Sequence, residues 1–173
     1  VVVRNGGVIQ ADHIVVGATG VLKGSGGTLI GDVTNRGVIA PGESPGTLTI
    51  EGNYTQDAGG HLLIEIAGDA PGLFDVLNVT GSFTLGGTLE IVFLDGFVPT
   101  GNEHFEFIHA GGGFIGSFAD IVMPLIEGHP ALHLGFGPNG ITVGAAPVPV
   151  PAAVWLFVTA CGIVGVRRRA CAA

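Results

Sequence analysis

Short apolar segments recur along the first third of the chain, each directly behind a glycine. Their starts lie 13, 7, 10 and 9 residues apart, so two successive steps span 17–20 residues. Strands this short are not stable alone, but stacking successive turns of chain buries them in a shared core. The pattern predicts right-handed parallel β-helix-like coils over residues 1–56, built on Gly7-Val8-Ile9, Gly20-Val21-Leu22, Gly27-Thr28-Leu29, Gly37-Val38-Ile39 and Gly46-Thr47-Leu48.

Beyond residue 56 the apolar segments lengthen, and several alternate apolar with polar residues, as half-buried strands do. We expect a β-rich C-terminal cap over residues 57–144, and nothing before Ala152 has the pattern of an amphipathic helix. The predicted fold class is therefore all-β. The strands expected in the cap are 61–66, 76–79, 88–94, 104–109, 131–136 and 141–143.

The composition changes at about Ala145. Residues 145–151 are a Pro-rich segment typical of an extended linker, and 152–166 are apolar except for Thr159 and Cys161. A helix of 15 residues spans about 22 Å, short of a hydrocarbon core of roughly 30 Å, but flanking residues and local thinning compensate. We predict a single C-terminal transmembrane helix at 152–166; a buried helix of the folded domain is the weaker alternative.

The charge distribution supports this division of the chain. Three of the six basic residues, Arg167, Arg168 and Arg169, follow the apolar run, which leaves residues 1–166 with three cations against 14 carboxylates. Basic residues that flank a transmembrane helix remain on the cytoplasmic side of the membrane. Residues 167–173 would therefore be a cytoplasmic tail, and the body would lie on the other side of that membrane. The acidic body disfavours nucleic acid and anionic membrane surfaces as partners.

The chain carries no pattern that indicates catalysis. It has no Gly-x-Ser-x-Gly elbow, no His-Glu-x-x-His and no phosphate-binding loop ahead of a helix, so we expect no catalytic residue and no cofactor. His129 and His133 have the helical spacing of zinc ligands, but Pro130 argues against a helix there. The six histidines are predicted to be scattered surface residues without a metal site, and both cysteines lie beyond residue 160, so no disulfide joins the body.

The C-terminal region resembles a known class of sorting signal. The segment Val148-Pro149-Val150-Pro151-Ala152-Ala153-Val154-Trp155-Leu156-Phe157, then the apolar run and three arginines, is similar to the VPxPA subtype of PEP-CTERM signals. Val150 stands where the type motif has Glu. The resemblance implies cleavage by an exosortase, a membrane transpeptidase-like enzyme. It also implies a sorting motif of Val148, Pro149, Pro151 and Ala152, a transmembrane anchor that includes Trp155, Leu156 and Phe157, and a basic stop at Arg167, Arg168 and Arg169.

The body resembles the C-terminal coils of autotransporter passenger-type β-helices. The resemblance rests on three segments and extends to about Phe118: Gly37-Val38-Ile39-Ala40-Pro41-Gly42-Glu43-Ser44-Pro45-Gly46-Thr47-Leu48, Gly52-Asn53-Tyr54-Thr55-Gln56 and Asp75-Val76-Leu77-Asn78-Val79-Thr80-Gly81. It implies a final set of coils with a β-rich cap. It implies nothing about activity, because one fold serves many functions.

Together these features predict a non-enzymatic, structural or adhesin-like surface protein. The precursor would lie in the inner membrane, and the mature protein at the cell surface or in the extracellular matrix. Its expected partners are the exosortase, the membrane through the C-terminal helix and, as a further candidate, extracellular polysaccharide. One alternative is the stalk and anchor of a larger carbohydrate-binding or polysaccharide-degrading protein; another is a permanently anchored bitopic protein. Since the chain starts at Val1, we expect an export signal and further repeats upstream.

Overall fold

The computed structural model describes residues 1–43, 45–100, 103–125 and 132–145, and every regular element among them is a β-strand. The chain is therefore all-β over this part, as predicted. The strands are β1 (Val2–Arg4), β2 (Val8–Val16), β3 (Val21–Ser25), β4 (Gly27–Asn35), β5 (Val38–Ala40), β6 (Thr47–Glu51), β7 (Tyr54–Gln56), β8 (His61–Ile66), β9 (Val76–Val79), β10 (Phe83–Leu85), β11 (Thr88–Phe93), β12 (His104–Ala110), β13 (Phe114–Gly116), β14 (Asp120–Val122), β15 (Leu132–Phe136) and β16 (Gly140–Ala145).

The predicted strand positions are confirmed. The five segments behind glycine lie in β2 to β6, and the longer alternating segments correspond to β8, β9, β11, β12, β15 and β16. Glycine ahead of each short segment gives the backbone room to turn, and the apolar residues behind it have the period of two that places alternate side chains in the core.

The strands form two sheets in which nearly all neighbours are parallel. One sheet has the order β1-β3-β5-β8-β11-β14, and the other runs β13-β10-β7-β4-β6-β9-β12-β16-β15, with β2 also beside β4. Partners in parallel pairs are separated by 17 residues at the shortest, Val21 with Val38, and by 32 at the longest, Thr88 with Asp120. Parallel pairs lie on both sides of residue 56, and the predicted domain division there stays a prediction.

The long strand β4 links two ladders of the second sheet. Its first half, from Gly27, pairs with β6, and its second half, from Val33, pairs with β7. Strand β2 follows β4 along both halves, with a shift in register between Gln10 and His13. After β4 the chain continues as separate, shorter strands, and each strand from β5 to β11 has a parallel partner further along the chain.

In-register pairing stacks identical kinds of side chain above one another in the core. Leu22, Ile39, Leu62 and Leu89 are successive partners in the first sheet, and all four are buried. Strand β8 shows how the sequence produces this arrangement, since its even-numbered residues are buried and its odd-numbered residues are partly exposed. Burial of such columns stabilises the fold by roughly 25 cal/mol for each Å² of apolar surface removed from water.

An aromatic column continues the same principle in the second sheet. Tyr54, Phe83 and Phe114 are register partners in β7, β10 and β13. The ring centroids of Tyr54 and Phe83 are 4.4 Å apart, and those of Phe83 and Phe114 are 5.8 Å apart. Tilted rings at these separations add favourable contacts beyond the area they bury.

A buried polar network joins the two sheets beside this column. The Asn35 amide nitrogen donates to Tyr54 Oη at 3.2 Å and to the His61 carbonyl at 3.0 Å. Tyr54 Oη donates to Gln56 Oε1 at 2.7 Å, and Gln56 Nε2 donates to the Thr88 carbonyl at 2.8 Å. Burial raises the pKa of Tyr54 well above its usual range, so the hydroxyl remains a donor. Because buried polar groups are costly when unpaired, the network fixes which strands meet at this corner.

The predicted linker and sorting motif at 145–151 fall beyond the described residues except for Ala145, and the predicted transmembrane helix at 152–166 and basic tail at 167–173 lie wholly outside them. Within the part of the chain that the structure describes, no helix has the length and apolar character needed to cross a membrane.

We predict that Leu62→Ala lowers the free energy of unfolding by about 2–5 kcal/mol, because it leaves a cavity inside a fully buried column. The matched control is Leu125→Ala, which makes the same chemical change at a side chain that is 100% exposed and should alter stability by less than about 0.5 kcal/mol. Urea unfolding of both variants measures the difference. Equal effects would contradict the placement of Leu62 in the core.

Candidate functional site

The outer face of the antiparallel strands β12, β16 and β15 carries a groove. Its volume is about 670 Å³. Side chains of His104, Glu106, His109, Phe136, Asn139 and Thr142 line it, together with backbone of the β15–β16 turn. Grooves where a few polar groups converge beside an apolar surface are the usual location of ligand sites.

A β-bulge places two of these side chains together. The register between β12 and β16 shifts between Glu106 and Ile108, and both Phe107 and Ile108 are buried. Simple alternation after Phe107 would turn Ile108 outward and His109 inward; the bulge returns His109 to the outer face. His109 Nδ1 then lies 3.4 Å from Glu106 Oε1. Bulges commonly redirect side chains in this way beside functional sites.

Glycines on the hairpin make room for the polar side chains. A Cβ at Gly140 would collide with the Glu106 carboxylate, and one at Gly135 would lie 2.7 Å from Thr142 Oγ1. At Gly144 the nearest side-chain atom is Cε1 of His133, 3.4 Å from such a Cβ. Each of the three glycines therefore lies next to a polar side chain of an adjacent strand. Any larger residue at Gly140 would displace Glu106.

The groove carries groups that can hold a polar ligand. It offers a carboxylate, two imidazoles, an amide and a hydroxyl, and the Phe136 ring at its side is 57% exposed. None of the described residues that line it is Lys or Arg. The groups present can donate and accept hydrogen bonds, while the ring supplies an apolar contact surface.

The other described histidines lie apart from one another on the outer surface. His61 Nε2 is 2.8 Å from Glu90 Oε2 on the first sheet, and His13 Nε2 is 3.2 Å from Thr34 Oγ1 on the second. No group of three or more His, Cys, Asp or Glu among the described residues is close enough to hold a metal ion. The strand geometry of His133 agrees with the sequence-based argument against a helix there, and His129 lies outside the described residues.

Asp75 is the one described carboxylate with both burial and a strongly shifted pKa, features that often mark catalytic acids. Its Oδ1 accepts from the Gly46 amide at 2.7 Å and its Oδ2 accepts from the Glu65 amide at 3.0 Å. A Cβ at Gly42 would collide with Oδ1. Burial raises the pKa of Asp75 to about 6, although the two amide donors oppose the shift. With both oxygens accepting from backbone amides and no exposure to solvent, Asp75 joins Gly46 to Glu65 and has a structural role.

This contact also connects two segments that were singled out in the sequence. Gly46 belongs to the first segment that resembles autotransporter passengers, and Asp75 begins the third. No protein-family model matches the chain, and no curated protein matches it either. The resemblances therefore rest on the residues quoted for them.

The residues predicted to carry sorting lie outside the described part of the chain. These are Val148, Pro149, Pro151, Ala152, Trp155, Leu156, Phe157, Arg167, Arg168 and Arg169. The groove itself was not predicted. Its only sequence signal is the turn Gly137-Pro138-Asn139-Gly140 between two short strands, which indicates a hairpin. The bulge at Phe107 coincides with a break in the apolar/polar alternation, where Phe107 and Ile108 are adjacent apolar residues.

We predict that the stability of the chain falls as the pH rises from about 4 to about 6 through the titration of Asp75. Its folded pKa lies above the unfolded value, so the folded state binds the proton more tightly and loses this advantage once the carboxyl ionises. A shift of about two units corresponds to up to about 3 kcal/mol. Urea unfolding at several pH values measures the slope.

Asp75→Asn should remove this component of the pH dependence and should also lower stability, because an amide cannot accept from both backbone donors. Asp12→Asn is the control, since Asp12 is exposed on β2 and should leave the slope as it is. An unchanged slope in Asp75→Asn would contradict the assignment.

Proposed function

We propose that the chain belongs to a non-enzymatic surface protein that a bacterium exports, and that its C-terminal region is a sorting signal for an exosortase. The body is a right-handed parallel β-helix with a β-rich cap, and it acts by display, as a structural or adhesin-like element. The observation that carries the proposal is the order of features after Ala145: Pro-rich motif, apolar run and basic triplet.

The described residues support a β-helix for the body. Each strand of the first sheet pairs in parallel with the next strand of that sheet along the chain, and buried aliphatic partners stack on one another from β3 to β11. Successive parallel strands lie about 4.8 Å apart, so each added circuit lengthens the stack by that amount. Such a stack projects an attached surface away from a membrane.

The formal charge of −8 fits a protein that stays dispersed outside the cell. In the proposed precursor, Trp155 lies at the outer interface of the inner membrane and residues 152–166 cross it. Arg167, Arg168 and Arg169 remain on the cytoplasmic side, where basic residues are retained. The exosortase then recognises Val148, Pro149, Pro151 and Ala152 and releases the body to the cell surface or the extracellular matrix.

Two other functions fit the same residues. In the first, the body is the stalk and anchor of a larger carbohydrate-binding or polysaccharide-degrading protein, and the chemistry lies in another domain. In the second, the apolar segment is a permanent anchor of a bitopic membrane protein. Sorting is favoured over a permanent anchor because the Pro-Val-Pro motif lies directly before the apolar run.

We predict that Pro149→Ala combined with Pro151→Ala blocks processing in the native host, so that the protein accumulates as a larger, membrane-bound form. Pro147→Ala is the matched control: it alters the same Pro-rich segment outside the motif and should be processed normally. Immunoblots of membrane and surface fractions measure both. Deleting the host's exosortase should reproduce the effect of the double variant, and normal processing in that deletion strain would contradict the sorting proposal.

A further inference from the structure

We infer that the groove on the outer face of β12, β16 and β15 binds a neutral glycan. Its volume of about 670 Å³ is large enough for a short stretch of sugar chain, and the groove is open to solvent along the surface. The proposal deepens the display function, since it names the class of partner that a displayed surface would hold.

The Phe136 ring provides the apolar side of the site. Aromatic rings contact the C–H faces of pyranose sugars, and Phe136 is 57% exposed although it is a large apolar residue beside polar neighbours. Ile115 in β13 is exposed to the same extent but does not line the groove. Exposure alone therefore does not distinguish Phe136; its position beside convergent polar groups does.

The polar side of the site matches sugar hydroxyls. Glu106 accepts hydrogen bonds through two oxygens, His109 lies 3.4 Å from it, and Asn139 adds an amide with both donors and acceptors. A carboxylate beside an amide or imidazole can hold two neighbouring hydroxyl groups, one of which donates while the other accepts. This chemistry suits a polyol.

The charge of the groove selects among glycans. It contains the Glu106 carboxylate and is lined by no described Lys or Arg, and the whole chain carries a net charge of −8. Uronates and sulfated sugars would have to approach a carboxylate with no lysine or arginine to pair with. Neutral hexoses meet no such repulsion.

The site is built before any ligand arrives. The bulge at Phe107 brings His109 beside Glu106, and the absence of a side chain at Gly140 leaves the space that the Glu106 carboxylate occupies. Groups that already lie side by side need less rearrangement to contact a ligand together.

Saturation-transfer NMR on the purified full chain, in a detergent without a sugar headgroup, tests the inference. The probes are neutral tetrasaccharides of glucose, mannose and galactose, with tetragalacturonate as the acidic counterpart. We expect at least one neutral tetrasaccharide to bind, and to bind at least about tenfold more tightly than tetragalacturonate.

Phe136→Ala should weaken binding at least about tenfold, as loss of a central aromatic contact does. Gly140→Ala should do the same by displacing Glu106, and Ile115→Ala should leave binding unchanged. Glu106→Gln is a third variant, to be used if Phe136→Ala or Gly140→Ala does not fold. It keeps the shape of an exposed side chain and removes its charge, and it should also weaken binding.

The inference is overturned if no neutral tetrasaccharide binds, if tetragalacturonate binds equally well, or if Ile115→Ala weakens binding as much as Phe136→Ala. These results are independent of whether the C-terminal region is cleaved in the host, so failure of glycan binding and failure of the sorting proposal are distinguishable.

Discussion

Parallel stacking in register is the constraint on which the rest of this structure depends. Strands of three to six residues such as β5 and β8 have no stability alone, and they persist because each lies between two partners that bury the same columns of side chains. Leu62 shows the principle: it contributes to the core because Ile39 and Leu89 lie directly on either side of it. A change in one strand therefore affects the packing of the strands on either side of it.

Buried polar side chains help to determine which strands and loops lie against one another. Asn35, Tyr54 and Gln56 hydrogen-bond to one another and to backbone of the opposite sheet, while Asp75 joins the Gly46 amide to the Glu65 amide in β8. A slip of two residues would keep apolar side chains on the core face, but it would break these directional contacts. The same logic operates on the outside, where the bulge at Phe107 and the gap at Gly140 arrange Glu106 and His109.

The positions of the strands could be predicted because glycine followed by alternating apolar residues is a local signal. Which strands pair with one another was harder to predict from the sequence. The division of β4 between β6 and β7 depends on contacts between residues about 20 positions apart, which no local pattern encodes. The outer groove was not predicted either, because its residues are also distant from one another in the sequence. His104, Glu106 and Phe136 come from segments about 30 residues apart, and a bulge decides which face His109 occupies.

The central claim is that the C-terminal region directs an exported β-structure to the surface and is then removed. Its most direct test is the intact mass and C-terminal sequence of the protein recovered from the surface and medium of its native host. The account predicts a mature chain that ends near Pro151. Recovery of surface protein that still carries Arg167, Arg168 and Arg169 would contradict it and would identify a permanent membrane anchor.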